Sequence, residues 1–274
     1  MTGRREGFEP ANVLVVGEAL VDVVRDEAGD VTHPGGSPLN VAVGLQRLGV
    51  PATLHSDVGL DDNGVVVLRH LEGSGVAVTP SSVRDRPTSV ALATIGGDGA
   101  ASYAFSIDWD PAPLEVASGT FDAVHTGSIA AVLEPGAAVV ERLLGELRGS
   151  ATISYDPNVR PQLMGSPAEA RPRIERLIAL SDVVKASDED ISWLYPGEAL
   201  ADVLERWLGL GPALVVATRG ADGADALAAS GPMHVPAPPT TVADTIGAGD
   251  SFMAGLLTAL SDLGLLGADA RAAL

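Results

Sequence analysis

The 274-residue chain contains no cysteine, which excludes disulfides, thiolate nucleophiles and cysteine-ligated zinc. Histidine is sparse. His33, His55, His70, His125 and His234 are scattered, with no H-E-x-x-H pair, so no histidine metal site is expected. Basic residues are also few: 17 Lys and Arg stand against 36 Asp and Glu, for a net charge of −19. They form no basic block, so no nucleic-acid partner is expected. The acidity favours solubility, and it leaves any anionic substrate to be held by local groups and metal. Long apolar runs are missing as well. MTGRREGFEPAN has two arginines but no apolar signal-peptide core before Glu18. AGLLTALSDLGLLGA is broken by Ser261 and Asp262 and is too short to span a bilayer. A cytoplasmic protein with no membrane partner is the expectation.

What is present is enough for a large core: 46% of residues are hydrophobic, and 32 glycines and 19 prolines punctuate apolar segments. NVLVVGE (12–18) reads as a buried strand closed by Gly17 and a carboxylate, and ALVDVVRD (19–26) as a second strand. SPLNVAVGLQRLG (37–49) has helical spacing, with Ser37 as N-cap, Pro38 in the first turn and Gly49 as C-cap. ATLHSDVG (52–59) predicts a strand and NGVVVLRHLEGSG (63–75) a helix. SVALATIGGDGAASYAFSI (89–107) reads as two β-runs joined by a GGDG hairpin signal. Strand and helix then alternate: FDAVHTG, PGAAVVERLLGELRG, ATISYDPN, PAEARPRIERLIAL, DVVKAS, two helical stretches to 208, and PALVVATRG. A closing hairpin follows, and a last long helix starts near 249. Such alternation predicts an α/β fold whose parallel sheet is covered on both faces. The segments near 19–33 and 88–107 break it and predict a small separate sheet, read as a lid. No repeat or linker divides the chain.

Six stretches could carry chemistry. DTIGAGD (244–250) puts Gly247-Ala248-Gly249 at a helix start, where unsatisfied N–H groups and a partial positive charge favour anions. It is neither a Walker A loop nor G-x-G-x-x-G, since Phe252 stands at the third glycine position. Asp250 beside an anion site is repulsive unless it has a task, and general base toward an attacking hydroxyl is one. An ordinary glycine turn with a first-turn carboxylate is the plainer alternative. In HPGGSPLN (33–40), Gly35 and Gly36 allow close backbone approach and Asn40 suits a polyol; a capped helix start is the alternative. Asp22 in GEALVD (17–22) is either a hydroxyl acceptor in a cleft or a solvent-facing edge residue. Asp156, Asn158 and Arg160 of YDPNVRP (155–161) follow a strand, where ligands gather in open α/β sheets; a solvated Pro-rich turn is the alternative. KASDED (185–190) offers carboxylates that could hold Mg²⁺ through water or merely begin a helix. TRGADGA (218–224) carries two glycines suited to nucleotide contact or to a tight turn.

Taken together, these segments resemble the PfkB (ribokinase-like) carbohydrate kinases. GGSPLNVAVGLQRLG and DTIGAGDSFMAGLL look like the two family signatures, and FDAVHTGSIA, YDPNVRPQL, KASDED and TRGADGA match family segments in order. The likeness runs from about 12 to 262. It implies a single three-layer α/β/α domain over 1–274, with a mainly parallel sheet and a small β-sheet lid over the sugar. It also implies phosphotransfer from ATP, with Mg²⁺ and with K⁺ as a further cation. Position by position, the resemblance makes Asp250 the catalytic base and Gly247, Ala248 and Gly249 the anion hole. Asp22, Gly35, Gly36 and Asn40 would contact sugar hydroxyls, while Thr218, Gly220 and Gly223 would lie at the nucleotide. Asp190 would hold Mg²⁺ through water, and Asp244 with the Ile246 carbonyl would hold the monovalent cation.

GGSPLNVA, HTGSIA, DPNVRP and KASDED look most like bacterial fructokinases, which makes Arg160 a sugar or phosphate contact. Ser187 and Asp190 depart from the family N-x-x-E motif, Ile246 replaces a threonine, and SIDWDPAP (106–113) differs from the usual lid segment. Relatives continue past GADARAAL with a helical segment that walls the adenine and completes the cation site, so the expectation is either a truncated chain or a more open nucleotide pocket. The resemblance further implies a homodimer through the lid sheets. The reading is an ATP-dependent fructokinase. Another sugar, a 2-keto-3-deoxy acid or a nucleoside stays open as substrate, and a non-catalytic sugar-binding or regulatory relative stays open as a different class. A nucleotide-dependent dehydrogenase is disfavoured by the missing G-x-G-x-x-G.

Overall fold

The computed structural model describes residues 9–26, 29–95, 101–241 and 244–274. Its frame is a nine-stranded sheet built around β1 (Val13–Val16), a fully buried apolar strand. β2 (Leu20–Asp26) and β3 (Gly29–Gly35) leave that frame, and α1 (Ser37–Arg47) returns the chain to β4 (Ala52–His55). β5 (Val58–Gly59), α2 (Asp62–Gly73), β6 (Ala77–Val78), β7 (Val83–Arg84), β8 (Val90–Ile95) and β9 (Ala101–Ser106) follow. The alternating part comprises β10 (Ala123–Gly127), α3 (Gly136–Leu147), β11 (Thr152–Asp156), α4 (Pro161–Met164) and α5 (Pro167–Leu180). It continues through β12 (Val183–Ser187), α6 (Asp188–Leu194), α7 (Leu200–Leu210) and β13 (Leu214–Thr218). The β14 (Ala224–Ala228) and β15 (Gly231–Val235) hairpin and α8 (Ala248–Asp262) complete the order.

The large sheet runs β15-β14-β13-β12-β11-β10-β1-β4-β6. All neighbours pair in parallel except β13–β14 and β14–β15. Period-two alternation divides each strand between two cores. Leu14, Val16, Val124, Ile153, Tyr155, Val215 and Ala217 pack with α3, α5, α6 and α7. Val13, Val15 and Ala123 pack on the opposite face with α1, α2 and α8. Both faces are therefore covered, as the near-continuous apolar strands require. This is the α/β architecture the alternation predicts.

The segments near 19–33 and 88–107 form a second sheet of order β3-β2-β8-β9. β2 pairs with β3 antiparallel and with β8 in parallel, and β8 pairs with β9 antiparallel. The GGDG hairpin signal at 96–99 lies outside the described residues. The short parallel pair β5–β7 is not anticipated by the sequence pattern. Among the described residues, no helix is long and apolar enough to cross a membrane.

One local reading is corrected. Ser37 is not the N-cap of α1; Gly36 occupies that position, with φ 109°, and Ser37 is the first helical residue. A Cβ at Gly36 would sit 2.4 Å from the Glu18 carbonyl oxygen, so the chain needs glycine there to turn into the helix. The Ser37 hydroxyl is thereby freed for a different partner.

Candidate active site

That partner is Asp250. α8 starts from Gly247, held in the left-handed region at φ 70°, ψ 10°, with Asp250 in its first turn. The Ser37 hydroxyl donates to Asp250 Oδ1 at 2.6 Å, and Asn40 Nδ2 donates to Oδ2 at 2.8 Å. Asp250 is buried, so its carboxylate is fixed by two donors on α1. The first-turn amides lack partners within the helix by construction and carry its positive end. Ala248 is an exception to a fully open cradle, because its N–H donates to the Thr245 carbonyl at 3.1 Å. A carboxylate so fixed beside a helix N-terminus can take a proton from a hydroxyl while the helix end stabilises an anion.

Gly249 is a glycine for a reason that the sequence does not show. A Cβ there would lie 2.9 Å from Lys185 Nζ. Lys185 is itself buried and pairs with the buried Asp156 at 2.9 Å. Burial pushes the Asp156 carboxyl up to about 6, opposed by Lys185 and reinforced by the nearby Asp190 and Asp250 charges. The same ammonium, after burial, helps push buried His125 down to about 3.

A cleft of about 170 Å³ opens beside Asp250. Asp22, Gly36, Asn40, Arg160, Ile246 and Gly247 all line it, and Glu18, Ser37 and Ser128 join them. The small sheet supplies one wall: Asp22 on β2, Ala91 on β8 and Phe105 on β9 are lateral partners across three strands. Asp22 is solvent-exposed, yet surrounding protein raises its pKa, with Arg160 and His33 acting against that. Arg160 curls back, its Nη1 donating to the Asn158 carbonyl and to Asn158 Oδ1 at 3.1 and 2.8 Å. Asn158, at φ 37°, is turned by Asp156, whose Oδ1 accepts its N–H at 3.2 Å.

The glycine pair also has a reason within the chain. At Gly35 a Cβ would meet Asp22 Oδ2 at 2.0 Å, so Gly35 makes room for the Asp22 carboxylate. Gly36, as above, makes room for the Glu18 carbonyl.

Thr218, Gly220 and Gly223 cluster at the end of β13, outside that cleft. Gly220 and Gly223 have φ of 52° and 91°, and a Cβ at Gly223 would meet the Val235 carbonyl oxygen at 2.1 Å. Gly223 is thus required by the hairpin itself, whereas a Cβ at Gly220 would face open space. Asp190 closes a capping box on α6: Oδ2 accepts from the Ser187 N–H at 3.0 Å and Oδ1 from the Val159 N–H at 2.8 Å. No group of three metal-ligating side chains occurs among the described residues. Asp244 is exposed, and its Oδ1 accepts the Ile246 N–H at 2.9 Å.

Three residues of this site escape motif reading: Ser37, Glu18 and Lys185. Each carried a signal. Glu18 and Lys185 are charged residues set against otherwise buried strands, and Ser37 reads as a cap only if its long-range partner is ignored.

Residues 10–274 match the family described as pfkB family carbohydrate kinase. A fructokinase of Rhizobium leguminosarum bv. trifolii is 35% identical over 259 residues, covering 90% of this chain and 79% of that protein. A double mutant of the Vibrio cholerae O395 fructokinase, solved with fructose, ADP and potassium ion bound, superposes with a TM-score of 0.78 at 26% identity, covering 93% of this chain and 85% of that one. The aminoimidazole riboside kinase of Salmonella enterica, in complex with aminoimidazole riboside and an ATP analogue, gives 0.74 at 28% identity, covering 91% and 84%. With a buried aspartate at a glycine-rich helix start, a polar cleft under a small sheet and a family match spanning nearly its whole length, the chain belongs to the pfkB family of carbohydrate kinases.

Proposed function

We propose that this chain is a fructokinase that transfers the γ-phosphoryl group of ATP to the 6-hydroxyl of D-fructose. The observation that carries the reading is the Ser37–Asp250–Asn40 clamp at the N-terminus of α8, opening on a polar cleft. In this reading Asp250 takes the proton of the attacking hydroxyl, and the amides at Gly247 and Gly249 face the transferring phosphoryl group, with the Ala248 N–H turning from the Thr245 carbonyl to join them. Phosphoryl transfer through a loose transition state rewards positioning and charge stabilisation over basicity, which suits a carboxylate already locked by two donors. Asp22, Gly36, Asn40 and Arg160 contact the sugar, with Gly35 acting by leaving room for Asp22. Thr218, Gly220 and Gly223 lie along the nucleotide. The small sheet acts as a lid whose closure excludes water.

The donor set suits Mg²⁺ that arrives largely hydrated with the nucleotide. Such an ion takes few protein carboxylates, and no three-residue ligand group is gathered among the described residues. Asp190, with each oxygen already accepting one backbone N–H, would reach it through water. Bound Mg²⁺ would neutralise phosphate charge. Asp244 and the Ile246 carbonyl would hold K⁺. A homodimer through the small sheets belongs to the same reading, since Val31 and Tyr103 are 53% and 59% exposed on them.

Names of relatives support fructose, and the riboside kinase supports a nucleoside-like sugar as the second reading. ADP release with Mg-ATP over a panel of D-fructose, other hexoses, ribosides and 2-keto-3-deoxy acids, with and without K⁺, tests both. Fructose should give the highest kcat/KM. A riboside in first place overturns the fructose assignment, and binding without ADP release from any substrate overturns the kinase assignment.

A further inference from the structure

Glu18 is absorbed by none of the roles above. It follows β1 at the point where the chain leaves the large sheet for β2, and its side chain enters the wall of the cleft. It is only 4% exposed, so its carboxyl is removed from bulk water. Three groups hold it: its own backbone N–H, the Ser128 side chain, and the Ala130 N–H, which donates to Oε2 at 3.1 Å. Ser128 has φ 55°, a conformation that a non-glycine residue keeps only when its surroundings enforce it. A carboxyl has about four lone-pair positions on its two oxygens. Three donors therefore fix it while leaving about one position open, and the carboxyl borders the cleft.

The groups around it argue for a task. Arg160 lines the same cleft, and its charge acts on Glu18. The other titratable residues facing this space are Asp22 from β2 and Asp250 from α8, with His33 acting on Asp22 from β3. The remaining wall is apolar, from Leu20, Ile107, Ile129 and Leu163. Burying a carboxyl in such a wall costs free energy, and bracing one turn would need only a neutral acceptor. Burial pushes Glu18 up to about 7, against the pull of its hydrogen bonds and Arg160. Near neutral pH the group can therefore act as a hydrogen-bond donor or as a charged acceptor.

We propose that Glu18 is a further substrate-binding residue, taking one hydroxyl of the sugar in the cleft and helping to decide which sugars are accepted. This rests on the reading of the cleft as the sugar site. Glu18 would select neutral polyols, because its ionised form, with Asp22 and Asp250 beside it, repels a sugar acid. The bracing of Ser128 and Ala130 is retained in the substrate-bound state.

The experiment compares D-fructose with its monodeoxy analogues in the wild-type protein and in Glu18→Gln, measuring kcat and KM from pH 5.5 to 8.5. Loss of a hydrogen bond to a charged group corresponds to about a tenfold or greater rise in KM, with kcat changed less than about threefold. The penalty of Glu18→Gln should vanish for the one analogue that lacks the contacted hydroxyl. In the wild type, KM for fructose should inflect near neutral pH, and that inflection should be absent for the same analogue, an arm that needs no variant. A Glu18→Gln penalty equal for every analogue, or no penalty at all, overturns the contact and leaves Glu18 a brace. Absence of wild-type turnover and binding for every sugar instead overturns the sugar-kinase reading on which the contact rests.

Discussion

Replacing Asp250 by Asn is the sharpest perturbation of the proposed chemistry, because the structure tells what else will change. Asp250 accepts from Ser37 at 2.6 Å and from Asn40 at 2.8 Å. An asparagine of the same shape can turn its carbonyl oxygen to Asn40 and its amide nitrogen to Ser37, whose hydroxyl can accept as well as donate. Both contacts survive, and no charge remains to be buried. The fold and the sugar cleft should therefore be kept, with Tm unchanged or raised and the sugar Kd within about threefold. Only the proton acceptor is lost. General-base removal costs about 10²–10⁴-fold in rate, equivalent to about 3–5 kcal/mol of transition-state stabilisation. The assay is coupled ADP release for kcat, with calorimetry for sugar binding on the same preparation. A kcat within threefold of wild type refutes the base assignment. Loss of sugar binding in parallel with kcat also refutes the reasoning, because it shows that Asp250 acts by shaping the cleft.

Three other outcomes test the supporting structure. Lys185→Met strands the buried Asp156 carboxylate and should cost about 3–5 kcal/mol in denaturant unfolding, whereas Lys185→Met combined with Asp156→Asn should regain most of that; equal losses would discount the pairing. Glu18 is raised from 4.5 to about 7 in the folded chain, so its contribution to stability is complete below pH 4.5 and is lost as pH rises through 7. That change corresponds to about 3 kcal/mol; Glu18→Gln should flatten the fall of Tm between pH 5 and 8, and an unchanged slope contradicts the raised value. Gly44→Ala brings a Cβ to 2.7 Å from the Ala254 Cβ, where carbon atoms prefer about 3.5–4.0 Å. α1 must then move by about 1 Å, which should cost up to about 10²-fold in kcat. A wild-type kcat would show that the spacing of the two helices is not critical.

The alternation of apolar strands and amphipathic helices from 123 to 218 was enough to foresee the parallel sheet, because each such strand must be covered on both faces. The small sheet was legible for the opposite reason, as the interruption of that alternation near 19–33 and 88–107. What escaped reading was set by partners far away in the chain. Ser37 satisfies every local rule for an N-cap, and only the approach of α8 turns it into a clamp. Gly35 and Gly36 read locally as allowing close backbone approach to a ligand. A Cβ at Gly35 would also meet Asp22 Oδ2 and one at Gly36 the Glu18 carbonyl, neither of which a local pattern could locate. Gly249 reads locally as an exposed backbone amide, yet a side chain there would also press on Lys185 Nζ. The β5–β7 pair is two residues per strand, below the length at which alternation carries a signal.

The arrangement of α1 and α8 explains why two distant segments form one site. Ser37 and Asn40 are separated from Asp250 by 213 and 210 residues in sequence. One turn beyond Asn40 lies Gly44, and one turn beyond Asp250 lies Ala254, and these two face each other between α1 and α8. The helices thus run side by side in the same direction, with both N-termini at the cleft. Residues four apart share a helix face, so a small-residue contact at one turn fixes the separation of the polar contact at the preceding turn. Gly44 and Ala254 are therefore part of the positioning of Asp250 although neither lines the cleft. The same logic extends to the wall that faces them. β2 leaves β1 through Gly17, Glu18 and Ala19, and a Cβ at Gly17 would meet the Pro38 side chain at 2.2 Å. The start of α1 is consequently pressed against the root of the small sheet. Glu18, Asp22, Ser37 and Asn40 are carried on one packed junction, which α8 completes by bringing Asp250 against it.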